Sequence, residues 1–208
     1  MSHVRPAIGM TVLLMALTGV AYPGVVTVLA QVLFPSQANG SLVVKDGAPI
    51  GSAPIGSALI GQTFTGAQYF HSRPSNAGSG YDASASGGTN KGPTDRKLAD
   101  TLVAGAVARA VAEDGAAKGT IPSDYATASG SGLDPHISPA SADLQVARVA
   151  RARGASPDRI RALVARHTER PQLGILGDPR VNVLLLNLDL DRELPAPPAS
   201  PAPAPARQ

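Results

Sequence analysis

Hydrophobic residues are unevenly distributed along the chain, and the first long apolar run is its most distinctive feature. Residues 7–34 contain no charged side chain and are mostly aliphatic. A helix needs about 20 apolar residues to span a bilayer, whereas the apolar region of a cleavable secretory signal has only about 7–15. The run therefore predicts an uncleaved transmembrane anchor, with a buried core helix as the alternative. Pro23 and Gly24 would kink a soluble helix, but transmembrane helices tolerate such pairs.

Three segments after the anchor have the apolar spacing and the end signals of amphipathic helices. The first is predicted over residues 95–114, with Thr94 as its N-cap and Gly115 just past its end. Its apolar positions recur four residues apart and predict a face turned to the core. They are Leu98, Leu102, Ala106 and Ala110, with Val103, Val107 and Val111 beside them.

The other two helices are marked by Ser-Pro pairs at their starts. One begins at Ser138 and ends at Gly154, and the next begins at Ser156. Near its end the earlier helix carries Arg148, Arg151 and Arg153. Cations suit the C-terminal end of a helix dipole, so these arginines are expected on a solvated face. The later helix places Ile160, Leu163, Val164 and His167 on one face.

Alternating positions predict strands elsewhere. The clearest prediction covers residues 181–189, where leucines at every second position alternate with other residues. Further strands are predicted around residues 41–44 and 58–64. Together these elements indicate an α+β fold: a single N-terminal transmembrane helix, one mixed α/β extracytoplasmic domain and a disordered Pro-rich tail.

The same patterns divide the chain into segments. They are a cytoplasmic N-terminus over 1–6, the anchor over 7–34, a juxtamembrane linker over 35–47, the α+β domain over 48–194 and the Pro/Ala-rich tail over 195–208. Arg5 and the amino terminus precede the anchor, and no charge follows it until Lys45. The positive-inside rule therefore predicts a cytoplasmic N-terminus and a domain outside the cytoplasm.

The pentapeptide APIGS occurs twice in succession, at residues 48–52 and 53–57. Five residues is far below the period of a structural repeat, so the duplication is interpreted as an insertion absorbed by a loop or hairpin. Residues 78–95 are rich in glycine and serine but lack the GxxxxGK[ST] pattern of a phosphate-binding loop. A surface loop is the expected structure there.

Composition excludes several classes of function. The chain has no cysteine, which excludes disulfides, thiol catalysis and thiolate metal sites. A net charge of +3 with only 3% aromatic residues gives no basis for nucleic-acid binding. The histidines match no metal-binding motif, so no metal site is predicted. Ser129, Asp134 and His136 contain the residue types of a catalytic triad, but a turn at Asp134 with His136 packed before the Ser138 cap is the favoured interpretation.

Six blocks in a fixed order resemble one family. They are GSALIGQ at 56–62, YFHSRPS at 69–75, SGGTN at 86–90, SGSGLDPHIS at 129–138, QVARVARAR at 145–153 and RVNVLLLN at 180–187. Together they are similar to KdpC, the small subunit of the bacterial potassium-transporting P-type ATPase complex. The duplication and the Pro-rich tail depart from the family pattern, and Thr89 stands where serine is usual.

The resemblance implies a single-pass subunit of the bacterial inner membrane with a large extracytoplasmic domain. Its implied partners are a potassium-channel-like subunit, a P-type ATPase subunit and a small helical subunit. The first functional hypothesis is a non-catalytic subunit that assembles or stabilises this complex, with no catalytic residue and no cofactor of its own. The remaining hypothesis, an anchored extracytoplasmic hydrolase, is the least favoured, because no nucleophile and base can be identified.

The second hypothesis, also implied by the resemblance, is a catalytic chaperone. Such a subunit would raise the ATP affinity of the ATPase subunit through a transient ternary complex with ATP. Gln145 would then contact the nucleotide, and Ser86, Gly87 and Gly88 would face the phosphates. The residues themselves favour a surface or capping amide at Gln145, and the predicted topology separates the domain from cytoplasmic ATP.

Overall fold

The computed structural model describes residues 3–43 and 56–195. The chain divides into two compact units, Met1–Leu59 and Ile60–Gln208. The first copy of the duplicated pentapeptide and most of the second lie outside the described residues. So do residues 196–208 of the predicted tail.

The first unit is dominated by one apolar helix. Helix α1 (Val4–Ala16) continues through a π-helical turn (Leu17–Ala21) into α2 (Tyr22–Leu33). The most apolar 18 residues of the combined helix Val4–Leu33 have a mean hydropathy of 2.0, and none of them is buried. It is long and apolar enough to cross a membrane, as the sequence predicts. The π-helical turn ends two residues before Pro23, whose ring removes one backbone donor from the helix.

The chain after the anchor forms a short helix and a short hairpin. Helix α3 (Pro35–Ala38) is followed by strand β1 (Leu42–Val43), which pairs antiparallel with β2 (Gly56–Ser57). The Ser57 hydroxyl donates to Gly40 O at 2.7 Å and fixes the hairpin to the preceding turn. The predicted strand at 41–44 is confirmed in part. The strand predicted at 58–64 is wrong, because these residues form turns and irregular structure.

The second unit combines five α-helices with a small antiparallel sheet in its described part. The helices are α4 (Ala104–Asp114), α5 (Ser123–Ala126), α6 (Pro139–Arg153), α7 (Pro157–Arg166) and α8 (Val183–Glu193). The strands are β3 (His136–Ile137), β4 (Thr168–Glu169) and β5 (Arg180–Asn182), in the order β3-β5-β4. A mixed helix-and-strand fold is thereby confirmed.

The end signals of α6 and α7 act as the sequence predicts. The Ser138 side chain accepts a hydrogen bond from Ser141 N, and Ser156 does the same for Arg159 N. Gly154 ends α6 with a φ of 63°, a left-handed conformation that favours glycine. These local contacts satisfy backbone groups that a helix end leaves without partners.

The helix predicted at 95–114 forms with two differences. Its N-cap is Asp95 rather than Thr94, because the Asp95 carboxylate accepts from Lys97 N at 2.8 Å and Leu98 N at 3.3 Å. Its first part, Leu98–Val103, is π-helical before α4 begins. Ala106 and Ala110 are buried as predicted, whereas Val111 is exposed, so the apolar stripe reaches the core only at these two alanines.

The strand predicted at 181–189 is wrong. Within this range only the residues of β5 are extended. The Asn182 side chain then accepts a hydrogen bond from Leu185 N and caps the start of α8. Val183, Leu186 and Leu190 are buried at the spacing of a helix face. Leucines occupy so many positions here that the two-residue period of a strand and the 3.6-residue period of a helix both fit the pattern. The Asn182 cap favours the helix.

The core of the second unit lies among α6, α7, α8 and the sheet. Its fully buried side chains include Phe70, Ile160, Val149, Val181, Leu186 and Leu190. Phe70 comes from an irregular segment, so this loop is part of the core. A smaller cluster of Ala110, Ala116 and Tyr125 supports α4.

Candidate functional site

Gln145 lies inside the second unit and not on its surface. Its side chain is completely buried in α6. The amide oxygen accepts from His71 N at 2.7 Å and from the Arg148 guanidinium at 2.7 Å. The amide nitrogen donates to His71 O at 3.1 Å and to Ser141 O at 3.2 Å. All four hydrogen-bonding positions of the amide are therefore used within the protein.

Arg148 joins the same cluster. Its Nη1 donates to Ala67 O and Tyr69 O, each at 2.8 Å, and its Nε donates to Asp114 at 2.8 Å. The Asp114 side chain is completely buried and the Arg148 side chain is 6% exposed. A buried ion pair is tolerated only when the remaining donors also find partners, and here each nitrogen of the guanidinium donates at least one hydrogen bond. The expectation of a solvated face is wrong for Arg148.

A second amide holds the adjacent residue of the same segment. Asn187 of α8 accepts from Phe70 N at 2.8 Å and donates to Phe70 O at 2.9 Å. Arg153 of α6, also buried, donates to Gln68 O at 2.7 Å and to Asp191 at 2.9 Å. We call residues 67–71 the clamped segment, because side chains from two helices bind its backbone. The solvated-face expectation is wrong for Arg153 as well, whereas Arg151 is exposed as expected.

The chain beyond the clamped segment is held by an ion pair and a half-buried phenol. Arg73 pairs with Asp134 at 2.9 Å, and the Tyr81 hydroxyl donates to Arg73 O at 2.6 Å. Burial raises the pKa of Tyr81 to about 12, so the phenol stays a donor. Burial alone would raise the pKa of Asp134, but hydrogen bonds from His136 and the Arg73 charge outweigh it and hold that pKa below its usual value. Asp134 is thus a carboxylate in the folded protein.

Ser86, Gly87 and Gly88 pack against the neighbouring loop at 129–132. The Ser86 hydroxyl and Gly87 N both donate to Ser131 O, at 3.0 and 2.8 Å. A Cβ added at Gly88 would lie 2.9 Å from Gly130 O, so the two backbones approach as closely as glycine allows. The contacts of these residues involve a different part of the unit from those of Gln145.

The residues of the suspected triad serve as turn and ion-pair groups. The Ser129 hydroxyl accepts from Gly132 N at 2.9 Å. Asp134 bonds Arg73, and its other oxygen accepts from His136 N at 3.0 Å. The structure differs from the favoured interpretation in one respect: His136 begins strand β3 instead of following a turn, and it precedes the Ser138 cap by two residues. Among the described residues no group of three or more acidic or histidine side chains could hold a metal ion.

Two neighbouring cavities open beside the clamped segment. One, of about 310 Å³, is lined by polar groups that include Ser72, Arg73, Tyr81 and Arg109. The other, of about 520 Å³, is lined by Ala67, Arg148 and Arg151 among others. Thr65, His71 and Glu113 line both.

His71 is the titratable group at this junction. Its Nδ1 lies 3.6 Å from Glu113, and its Nε2 lies 3.1 Å from Gly66 O. Burial, with the nearby Arg148 charge, lowers the pKa of His71. The imidazole is therefore neutral at pH 7.

Sequence reasoning missed most of this cluster. Arg148, Arg153 and Asn187 bind backbone groups from 37 to 117 positions away in the chain. Local periodicity carries no information about such contacts. The available signal was that three blocks of the resemblance hold most of this cluster: YFHSRPS contains residues 69–71 of the clamped segment, QVARVARAR contains Gln145, Arg148 and Arg153, and RVNVLLLN contains Asn187.

The described architecture combines one helix that is long and apolar enough to cross a membrane with a second compact unit stabilised by internal polar contacts. Comparison with known proteins makes this specific. The sequence profile described as "KdpC: K+-transporting ATPase, c chain" matches residues 4–192. The chain belongs to the KdpC family, which confirms the resemblance.

Named relatives are similar to this chain over most of its length. The potassium-transporting ATPase KdpC subunit of Gemmatimonas aurantiaca is 58% identical over 188 residues, which cover 90% of this chain and 91% of that protein. The corresponding subunit of Rhodospirillum rubrum is 56% identical, with 88% and 92% covered. That of Koribacter versatilis is 55% identical, with 86% and 88% covered. These relatives are named as subunits of a potassium-transporting ATPase.

Proposed function

We propose that the chain is a non-catalytic subunit of an ATP-driven potassium uptake complex and that it assembles or stabilises the other subunits. In this proposal the N-terminus is cytoplasmic and the second unit lies outside the cytoplasm. The partners are the channel-like subunit, the P-type ATPase subunit and the small helical subunit. Family membership supports a place in such a complex, and the residues below support a structural role within it.

The burial and the hydrogen bonds of Gln145 are the main support for the proposal. A residue that recognises a nucleotide base must offer a free donor or acceptor to it. Both polar atoms of Gln145 are engaged by His71, Ser141 and Arg148, and the side chain is completely buried. Binding ATP at this residue would require breaking these bonds and exposing the His71 backbone groups. A structural role uses the observed contacts without rearrangement.

The anchor supports the same function from the other unit. No residue of the helix segments Val4–Ala16, Leu17–Ala21 and Tyr22–Leu33 is buried. Lipid and neighbouring helices can cover the apolar surface of such a helix, because transmembrane helices associate through close packing. The second unit has its own hydrophobic core. The chain can thus attach through its helix while presenting a rigid domain to partner subunits.

The catalytic-chaperone hypothesis makes a different prediction for the same residue. The test is Gln145→Ala in the complete complex, with Arg151→Ala, an exposed change on the same helix, as the control. We expect Gln145→Ala to lower complex yield because it unseats the clamped segment. We expect the KM for ATP, measured at saturating potassium on complexes of equal stoichiometry, to stay within twofold of the unmodified value. A several-fold rise in that KM with unchanged yield and maximal rate would contradict the proposal and support the chaperone.

A further inference from the structure

The connection between β4 and β5 contains a tight turn. Gln172 and Leu176 exchange two backbone hydrogen bonds of 2.9 Å, and Gly174 N donates to Pro171 O at 3.0 Å. We call residues 171–177 the apolar turn. The strand that follows it is fixed to the core, because Val181 is completely buried. The turn therefore projects from a rigid base.

Three aliphatic side chains of this turn are exposed to solvent. Leu173 is 88% exposed, Ile175 81% and Leu176 55%. Within the described part of the second unit, one other large hydrophobic side chain, Val111 at 37%, is exposed. A contiguous apolar group of this kind marks an interaction site more often than scattered exposed residues do.

The backbone of the turn is preformed in an unfavourable conformation. Leu173 has a φ of 54°, which is uncommon for a residue with a branched side chain, and Gly174 and Gly177 follow with 76° and 85°. The paired backbone bonds hold Leu173 in place. A partner would therefore meet side chains that are already positioned, and binding would lose little conformational freedom.

The chemistry of the turn favours a protein partner over a bilayer surface. Segments that bind membrane interfaces combine apolar residues with Trp, Tyr, Lys or Arg. The apolar turn contains none of these. The charged residues next to it, Arg170 and Asp178, have opposite signs, and Glu169 pairs with Arg180 at 2.9 Å. The turn is thus a neutral aliphatic projection that suits an uncharged apolar pocket.

We propose that the apolar turn docks into an uncharged apolar pocket on the extramembrane surface of another subunit of the potassium-transporting ATPase complex. Leu173 and Ile175 are the anchoring side chains. This inference rests on the proposed assembly function, which supplies the partner. It adds to that function the surface through which the second unit makes contact.

The first test replaces the anchors and keeps the turn. In the double variant Leu173→Asn, Ile175→Ser, asparagine accepts a positive φ, so the backbone keeps its geometry. Val111→Ser is the control, because it removes an exposed hydrophobic residue elsewhere on the same unit. We expect the double variant to co-purify at least tenfold less of the partner subunits, with an unchanged unfolding midpoint. Unchanged co-purification, or a loss accompanied by an equally lowered midpoint, would overturn the docking proposal.

The second test identifies the occupant and does not depend on a destabilising change. A photoreactive benzoylphenylalanine at position 175 of the full chain, irradiated in the intact complex, should form an adduct with a partner subunit. Adducts only with lipid, only with a second copy of the chain, or with neither would overturn the proposal.

Deletion of the whole chain separates this inference from the proposed function. If the other subunits still assemble without the chain, the assembly function fails, while an adduct at position 175 still demonstrates docking. If deletion dissociates the complex but the double variant does not, the docking proposal alone fails.

Discussion

Two buried amides hold neighbouring residues of one irregular segment. Gln145 bonds both backbone groups of His71, and Asn187 bonds both backbone groups of Phe70. Each amide imitates the pairing of a β-strand, although its own residue lies on a helix. The clamped segment thereby satisfies its polar backbone inside the core without belonging to a sheet.

Removal of one clamp should destabilise the second unit strongly. Asn187→Ala leaves the N–H and C=O of Phe70 without partners in a buried site, which costs about 2–6 kcal/mol at about 1–3 kcal/mol for each group. The measurement is denaturant unfolding of the full chain in detergent, with the exposed Asn76→Ala as control. A loss below about 1 kcal/mol would show that water or another residue replaces the clamp.

His71 should make stability depend on pH. In the unfolded chain a histidine binds a proton below about pH 6.5, whereas burial and Arg148 lower the pKa of His71 in the folded state. Between these two values the unfolded state binds more protons, so the free energy of unfolding rises with pH and falls on acidification. Asp134 has the same sign but acts at lower pH, because a lowered carboxylate pKa matters only near and below about pH 4.

The His71 contribution can be measured between pH 5 and pH 7, the window that excludes Asp134. His71→Gln keeps a donor in reach of Gly66 O and removes the titration, so it should flatten the rise in stability across this window. The exposed His3→Gln provides the control. An equally steep rise in the His71→Gln protein would assign the dependence to another group.

At the scale of elements, helix ends were the most predictable features. Ser138, Ser156, Gly115 and Gly154 act where the sequence places them, because capping depends on neighbours a few residues away. The leucine-rich run after β5 was misjudged, since its pattern fits two periods. The burial of Gln145 and Arg148 could not be predicted, because their partners in the clamped segment lie 74 to 81 residues distant.

The cap of α7 offers a local test of this element. Ser156→Ala removes the acceptor for Arg159 N and should lower the free energy of unfolding by about 0.5–2 kcal/mol. Ser156→Asp keeps an acceptor and adds a negative charge at the helix N-terminus, so it should preserve stability. Denaturant unfolding of the two variants measures the difference. Equal stabilities would mean that the cap bond contributes nothing.

At the scale of the whole molecule, topology decides between the functional hypotheses. The chain contains no cysteine, so single replacements provide unique labelling sites. Lys118→Cys on an exposed position of the second unit should react with an impermeant thiol reagent in cells whose outer membrane is permeabilised. His3→Cys, on the predicted cytoplasmic side, should react only after lysis. The reverse pattern would place the domain with cytoplasmic ATP and contradict the proposed orientation.

The π-helical turn at Leu17–Ala21 has a geometric consequence for the anchor. One additional residue in a helix rotates everything beyond it by about 100° relative to an uninterrupted α-helix. A stripe of side chains that faces one neighbour in α1 therefore faces a different direction in α2. A neighbour that packs along the whole helix would therefore have to contact two different faces of it.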